Sequence, residues 1–358
     1  MKLALRLDLY RAATLEVPVD LVRDAEALGY HSVWSAEAYG TDALSPLAYL
    51  AALTTRIKLG TAVVQLAARP PATLAMHAMT IDALAGGNRV IIGVGVSGPQ
   101  IVEGWYGQPW GHPTERLRDY LTIVQQVFAR EGPVAHEGRE ITLPYRGPGA
   151  LGQGKPLRSI LHPAGRIPLW LASGGPRNTE LCAELCEGWL PMGLPPEGTE
   201  AYRSELEHGW ATRGGRPSTW EVFSGCDVEI SDDVAGALDR RRPLTAMYVG
   251  GMGSATHNFH RDAMARRGFP EAAARIQELW LAGRKQEAVA AVPDEYLEQG
   301  SLIGDEQRIR RGWERVAKPG VTGLIIGARG PAELRLLAEL AGTQDEIEED
   351  AAAVEHMG

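Results

Sequence analysis

Cysteine is scarce in this chain, with three residues among 358. So small and odd a number makes no disulfide framework. Cys182 and Cys186, four apart on a predicted helix, have no nearby histidine to complete a metal set. They read as buried thiols, and no metal is expected. Basic charge is short as well: 36 Lys and Arg face 45 Asp and Glu, a formal charge of −9. Nucleic acid is bound through positive surfaces, so it is excluded as the main partner. Long apolar runs are missing too, and a membrane span is not expected. The opening MKLALRLDLY alternates like a strand, carries Arg6 and Asp8, and has no signal-peptide core, so a cytoplasmic protein is expected.

What is present is an ordinary globular composition, 44% hydrophobic and 23% charged. Short β-rich runs alternate with amphipathic helices. The strand runs are 3–9, 31–36, 57–64, 89–95, 167–172, 188–191, 220–230 and 321–326. Helical spacing appears at Leu21, Ala25 and Leu28, at Leu74, Ala78 and Ile81, and at Leu117, Leu121, Val124 and Phe128. Alternating βα units imply a parallel sheet, and eight of them predict an α/β fold of the (β/α)8 TIM barrel type, one domain over 1–342. Two stretches exceed connectors. Residues 134–165 begin like a hairpin at Glu137 and Gly138, after the fourth strand. Residues 232–318, after the seventh strand, hold the helical runs EAAARIQELWLAG and RKQEAVAAV. Barrels build their sites on the loops after the strands, so these insertions are expected to wall or roof a site. The end, 343–358, reads as an acidic tail.

Residues 90–98, VIIGVGVSG, contain Gly93, Gly95 and Gly98 in the G-x-G-x-x-G spacing of dinucleotide-binding turns. That motif needs a helix directly behind it. Pro99, Gly104, Gly107, Pro109, Gly111 and Pro113 follow instead, and no helix of useful length is expected before Pro113. Glycine within a strand then marks close approach by a ligand, another backbone or neighbouring side chains. LASGGPRN, residues 171–178, is more pointed. Ser173, Gly174 and Gly175 follow a strand, Pro176 suits a first helical turn, and Arg177 adds charge, an arrangement that offers free amides to a phosphate.

The stretch from YHSVWSAEAYG through GTAVVQ and GVGVSG to EGWYGQPWG, with PLWLASGGPRN after it, resembles the luciferase-like superfamily. It is most similar to the branch of oxidoreductases that use the deazaflavin coenzyme F420. The resemblance implies a (β/α)8 barrel with the coenzyme across its C-terminal mouth. The ring would lie over Thr61, Ala62 and Val63 beside Gln65, with Ala62–Val63 a cis peptide. Gly95, Val96, Ser97 and Gly98 would lie against the coenzyme, and Ala172, Ser173, Gly174, Gly175, Pro176 and Arg177 would hold its phosphate. In the alcohol and sugar-phosphate dehydrogenases of the family an acid is followed by a histidine near the reacting carbon. Glu37 matches the acid, but Ala38 replaces the histidine and moves no proton. Glu37 is left either as a proton source or cofactor contact, or as a group that satisfies a buried strand end.

Asp8, at the end of the first strand, is placed to face the mouth as a catalytic or substrate group, because a carboxylate there must be paired or used. Tyr39, Glu103, Trp105, Trp110 and Tyr248 complete the substrate candidates, the aromatics suiting a flat apolar ligand. Tyr248 with GGMG, residues 250–253, is expected at a hinge or entrance. His257 and His260 read as polar contacts. The expectation is an F420-dependent oxidoreductase passing hydride between deazaflavin C5 and a small activated C=C or C=N substrate, in a homodimer. The alternatives are an FMN-dependent monooxygenase and a barrel that binds deazaflavin or flavin without turnover.

Overall fold

The computed structural model describes residues 1–252 and 258–343. Gly253, His257 and the tail from 344 onward lie outside the described residues. Eight parallel strands, β1 (Lys2–Leu7), β2 (Ser32–Ser35), β3 (Lys58–Thr61), β4 (Val90–Gly95), β5 (Leu169–Ser173), β6 (Gly188–Pro191), β7 (Glu221–Ile230) and β8 (Gly323–Gly327), pair in chain order. The sheet closes where β8 returns to β1 with Gly323 opposite Lys2, so the eightfold alternation becomes a (β/α)8 barrel. A dinucleotide-binding open sheet is thereby excluded. Helices Val19–Ala27, Ser45–Ala51, Pro71–Leu84, Pro113–Ala129, Pro176–Leu185, Arg203–Arg213, Glu306–Val316 and Pro331–Ala341 are among those that surround it. No helix of the described residues is long and apolar enough to cross a membrane.

The barrel floor follows from pairing register. Trp34 on β2 stands opposite Gly60 on β3, Trp170 on β5 opposite Gly188 on β6, and Phe223 on β7 opposite Gly323 on β8. A Cβ at each glycine would fall 2.3–2.5 Å from the facing ring, so each large ring lies over a residue that has no side chain. The three rings meet one another, Trp170 and Phe223 edge to face at 4.9 Å. They plug the lower barrel and leave the site to the upper layer.

Four features depart from the sequence expectations. A six-residue helix, Pro99–Gly104, forms directly behind Gly98 despite the breakers, with Pro99 in its first turn, where the missing N–H costs nothing. Strand β3 ends at Thr61 and resumes at Val64–Gln65, so the run 57–64 is interrupted. A strand inside the second insertion, Ser301–Gly304, pairs in parallel with Asp227–Ile230. Gly250 and Gly251 do not form a hinge: they end the helix Arg242–Gly251 and are pressed against the indole of Trp280. The insertion helices between Val234 and Glu298 share an apolar cluster of their own around Leu238, Val249, Met264, Ile276 and Leu279. In the first insertion His136–Glu137 and Thr142–Leu143 form the expected hairpin. All three cysteines are buried free thiols.

Candidate active site

At the mouth, β3 bulges between Thr61 and Val64, and the Ala62–Val63 peptide is cis, as the resemblance implies. Glu37 anchors this bulge. Its main-chain N–H donates to Val63 O at 3.3 Å, and its carboxylate accepts from the Gln65 N–H at 2.8 Å and the Ala43 N–H at 3.1 Å. Arg69 closes a two-pronged pair with the same carboxylate, at 3.1 and 2.8 Å. The Glu37 side chain is 3% exposed, and a carboxylate with four donors has no proton to give. Of its two readings, the geometry supports the satisfied strand end.

Thr61 is likewise spoken for. Its hydroxyl donates to Gly93 O at 2.8 Å and accepts from Gly93 N–H at 2.9 Å, and the residue is fully buried, so its side chain joins β3 to β4. Gln65 donates to Glu37 O, while its Oε1 is buried and has no partner. Two of the three glycines of VIIGVGVSG have internal causes: a Cβ at Gly93 would strike Thr61 O at 2.1 Å, and one at Gly95 would meet Val63 Cγ2 at 2.8 Å, whereas at Gly98 only the Gln100 side chain comes near. Ala62, Val63, Val96, Ser97, Gly98 and Ala172 remain partly exposed around the bulge, a strip of small or apolar groups. Ser97 has a left-handed backbone, φ 62°, a conformation that non-glycine residues adopt mostly where surroundings impose it.

Beyond β5, Gly175 opens the ten-residue helix Pro176–Leu185 with no side chain capping its amides, and a Cβ there would meet nothing within 4 Å. Ser173 is buried against Thr179, and Gly174 lies beside Met192. Arg177 is exposed on the first turn. An uncapped helix start with open space in front suits an anion.

The opposite side of the rim is charged. Asp8 does face the mouth, from the turn just after β1, paired to Arg6 at 3.1 Å and Arg11 at 3.3 Å. Arg6 also reaches from β1 across β8 to Asp227 on β7 at 2.6 Å, passing over Gly327, where a Cβ would strike its guanidinium. Burial favours the neutral acid at Asp227, but Arg6 outweighs it and holds the carboxyl below its usual range. Glu229, two residues on, binds Arg240 at 2.5 Å and Arg241 at 2.8 Å, with Arg329 at 3.4 Å. Sequence reasoning missed Asp227, Glu229, Arg241 and Arg329; the alternating acids of CDVEI on an otherwise apolar strand were the available signal.

Tyr39 and Trp105 are exposed and form a tilted pair, 6.5 Å between centroids, on the rim near the bulge. Trp110 is half-buried, its main-chain N–H donating to Glu103 Oε1 at 3.2 Å, so Glu103 orders the loop. Tyr248 hangs from the insertion with its ring 4.7 Å from His260. Burial first, and then the neighbouring Tyr10, push its hydroxyl up to about 12. Among the described residues no group of three His, Cys, Asp or Glu side chains is arranged to hold a metal.

The family model for luciferase-like monooxygenases matches residues 4–323. A Mycobacterium tuberculosis protein named as a coenzyme F420-dependent oxidoreductase is 42% identical over 95% of this chain and 99% of its own length. The 5,10-methylenetetrahydromethanopterin reductase of Archaeoglobus fulgidus is 25% identical over 86% of this chain and 88% of its own. Among solved structures, the coenzyme F420-dependent tetrahydromethanopterin reductase of Methanopyrus kandleri superposes with a TM-score of 0.72 at 23% identity, covering 94% of this chain and 97% of that one. An F420-dependent secondary alcohol dehydrogenase gives 0.73 at 14% identity over 96% and 98%. The family model spans the chain from its first strand to the start of its last, the barrels superpose, and the chain belongs to the luciferase-like family.

Proposed function

We propose that the protein is a coenzyme F420-dependent reductase acting on a small substrate with an activated C=C or C=N bond. The single observation that carries this reading is the strip across β3, β4 and β5: an anchored bulge, small partly exposed groups beside it, and an uncapped helix start at its edge. A flat ring with a phosphate-bearing tail fits those parts in that order. The unpartnered Gln65 Oε1 offers an acceptor beside the bulge, and the space before Gly175 admits the tail. When bound, the coenzyme supplies hydride from C5.

The chain's own residues then have divided duties. Glu37, Gln65 and Arg69 fix the bulge that sets the ring's height. The main-chain N–H groups of Gly175, Arg177 and Asn178 and the Arg177 side chain hold the phosphate, and Tyr39 and Trp105 shield one flank from water. With Ala38 in the histidine's place and Glu37 engaged, the proton for the reduced carbon comes from Tyr39 or from water at the rim. The identity of a Mycobacterium tuberculosis relative named for this coenzyme supports the choice over FMN. The same reading makes the protein a cytoplasmic homodimer. Its contact would be the apolar groove of about 960 Å³ between the helix Pro71–Leu84 and the arm 155–162, where Met76, Leu157 and Ile160 are exposed.

Titration with F420 and with FMN, followed by fluorescence, tests the class. Saturable F420 binding and reoxidation of reduced F420 by enones or imines are expected. Tight FMN binding with none for F420 would replace this reading with the monooxygenase, and binding without turnover would leave a carrier.

A further inference from the structure

A second cavity, of about 650 Å³, opens on the charged side of the rim, between the ends of β7, β8 and β1 and the helices of the second insertion. Five arginines line it, Arg6, Arg11, Arg240, Arg241 and Arg329, against the carboxylates of Asp8, Glu16 and Asp227. Glu229 behind the wall still leaves the cations in excess, in a chain whose formal charge is −9. The excess is not evenly spread. Arg6 and Arg241 are mostly buried and committed to Asp227 and Glu229. Arg329 is 58% exposed, and its ion pair among the described residues is with Glu229 Oε2 at 3.4 Å, an oxygen that Arg241 already holds at 2.8 Å. Arg11 gives its Nε to Tyr10 and its Nη1 to Asp8, which leaves Nη2 to donate. Leu9, Leu21 and Leu244 supply apolar wall between these heads.

The cavity reaches the barrel mouth at Arg6, Asp227 and Gly327, across the barrel from the strip over β3 to β5. The two halves of the rim are thus chemically unlike: one small and neutral, the other cationic.

We propose that this cavity is an anion subsite for the substrate, so that the compound reduced at the mouth carries a carboxylate or phosphate held by Arg329 and Arg11. The assignment rests on the coenzyme occupying the opposite half of the mouth. Guanidinium groups bind either anion through paired N–H donors, and partial desolvation in the cavity strengthens the contact. Asp8 and Asp227 do not themselves bind the anion. They orient Arg6 and Arg11.

The test is calorimetric titration of the full-length protein, with and without F420, using inorganic phosphate, the carboxylate 3-oxocyclohex-1-ene-1-carboxylate, and that compound's neutral methyl ester. Wild type is expected to bind both anions and not the ester. Arg329→Ala and Arg11→Ala, both at exposed side chains, should each weaken anion binding about tenfold, the loss of one charge-assisted contact. Coenzyme affinity should be unchanged in both variants. The subsite is overturned if wild type binds no anion, if acid and ester bind alike, or if the variants bind the anions as wild type does. Weakened F420 binding in Arg329→Ala would assign the cavity to the coenzyme's tail instead. Anion binding that persists in a protein unable to bind F420 would overturn the coenzyme reading and leave the subsite standing.

Discussion

A single carboxylate can be a proton donor or a structural tie, and its neighbours decide. Glu37 was visible in the sequence as the acid of SAEAYG, but its partner Arg69 lies 32 residues away and nothing local announces the pairing. Only the fold brings them together, with Gln65 and Ala43 completing the set. Removing the charge from one partner of a buried pair strands the other. Glu37→Gln should therefore lower stability by about 3–5 kcal/mol, measured by chemical denaturation. The double variant Glu37→Gln, Arg69→Gln should lose less than the sum of the two single changes. Additive losses would mean that the pair contributes nothing as a pair. Asp8 was legible in the opposite way. Its position near the end of an alternating strand placed it at the mouth, and the rule that such a carboxylate must be paired is satisfied by Arg6 and Arg11.

At the level of strands and helices, the eight barrel strands were legible because each is a short apolar run bounded by turn residues and followed by a helical pattern. Ser301–Gly304 escaped notice because SLIG is four residues long, and such a run looks like part of a helical insertion until a partner strand is known. The interruption after Thr61 was invisible to periodicity, since Ala62, Val63 and Val64 are all apolar and mark no break. The glycines of the floor are register features of the same kind. Gly188 leaves room for the Trp170 ring, which is 2% exposed and enclosed by Trp34 and Phe223. Gly188→Ala would put a Cβ 2.3 Å from that indole. Overpacking of this kind costs about 1–3 kcal/mol, so a lowered melting temperature is expected. Its partial recovery in Gly188→Ala, Trp170→Leu would locate the clash, and an unchanged melting temperature in the single variant would show that the floor is looser than the register implies.

Across the molecule, closure of the sheet converts a linear series of βα units into a vessel with a sealed floor and an open rim; the insertion after β7 falls on the rim, whereas the first, between the helix Pro113–Ala129 and β5, flanks the outer helices and does not wall the mouth as expected. Barrel and mouth could be anticipated from element order. The split of the rim into a neutral and a cationic half could not, because it depends on side chains from β1, β7 and β8 meeting across the closure point. The outer surface raises a separate question of assembly. Ile160 is 94% exposed in the arm 155–162, beside Leu157 at 70%, an apolar patch of the kind that marks an association surface. Sedimentation velocity should show a dimer for wild type and a monomer for Ile160→Asp. A monomeric wild type would remove the homodimer from the proposal.

The pairing of Ser301–Gly304 with the end of β7 also constrains motion. The returning end of the second insertion is stitched to β7 by main-chain bonds, with Ser301 beside Asp227 and Ile303 beside Glu229, and its outgoing end is β7 itself. The helices in between are thereby tethered to the barrel at both ends, and any swing of them away from the rim has to break those main-chain bonds.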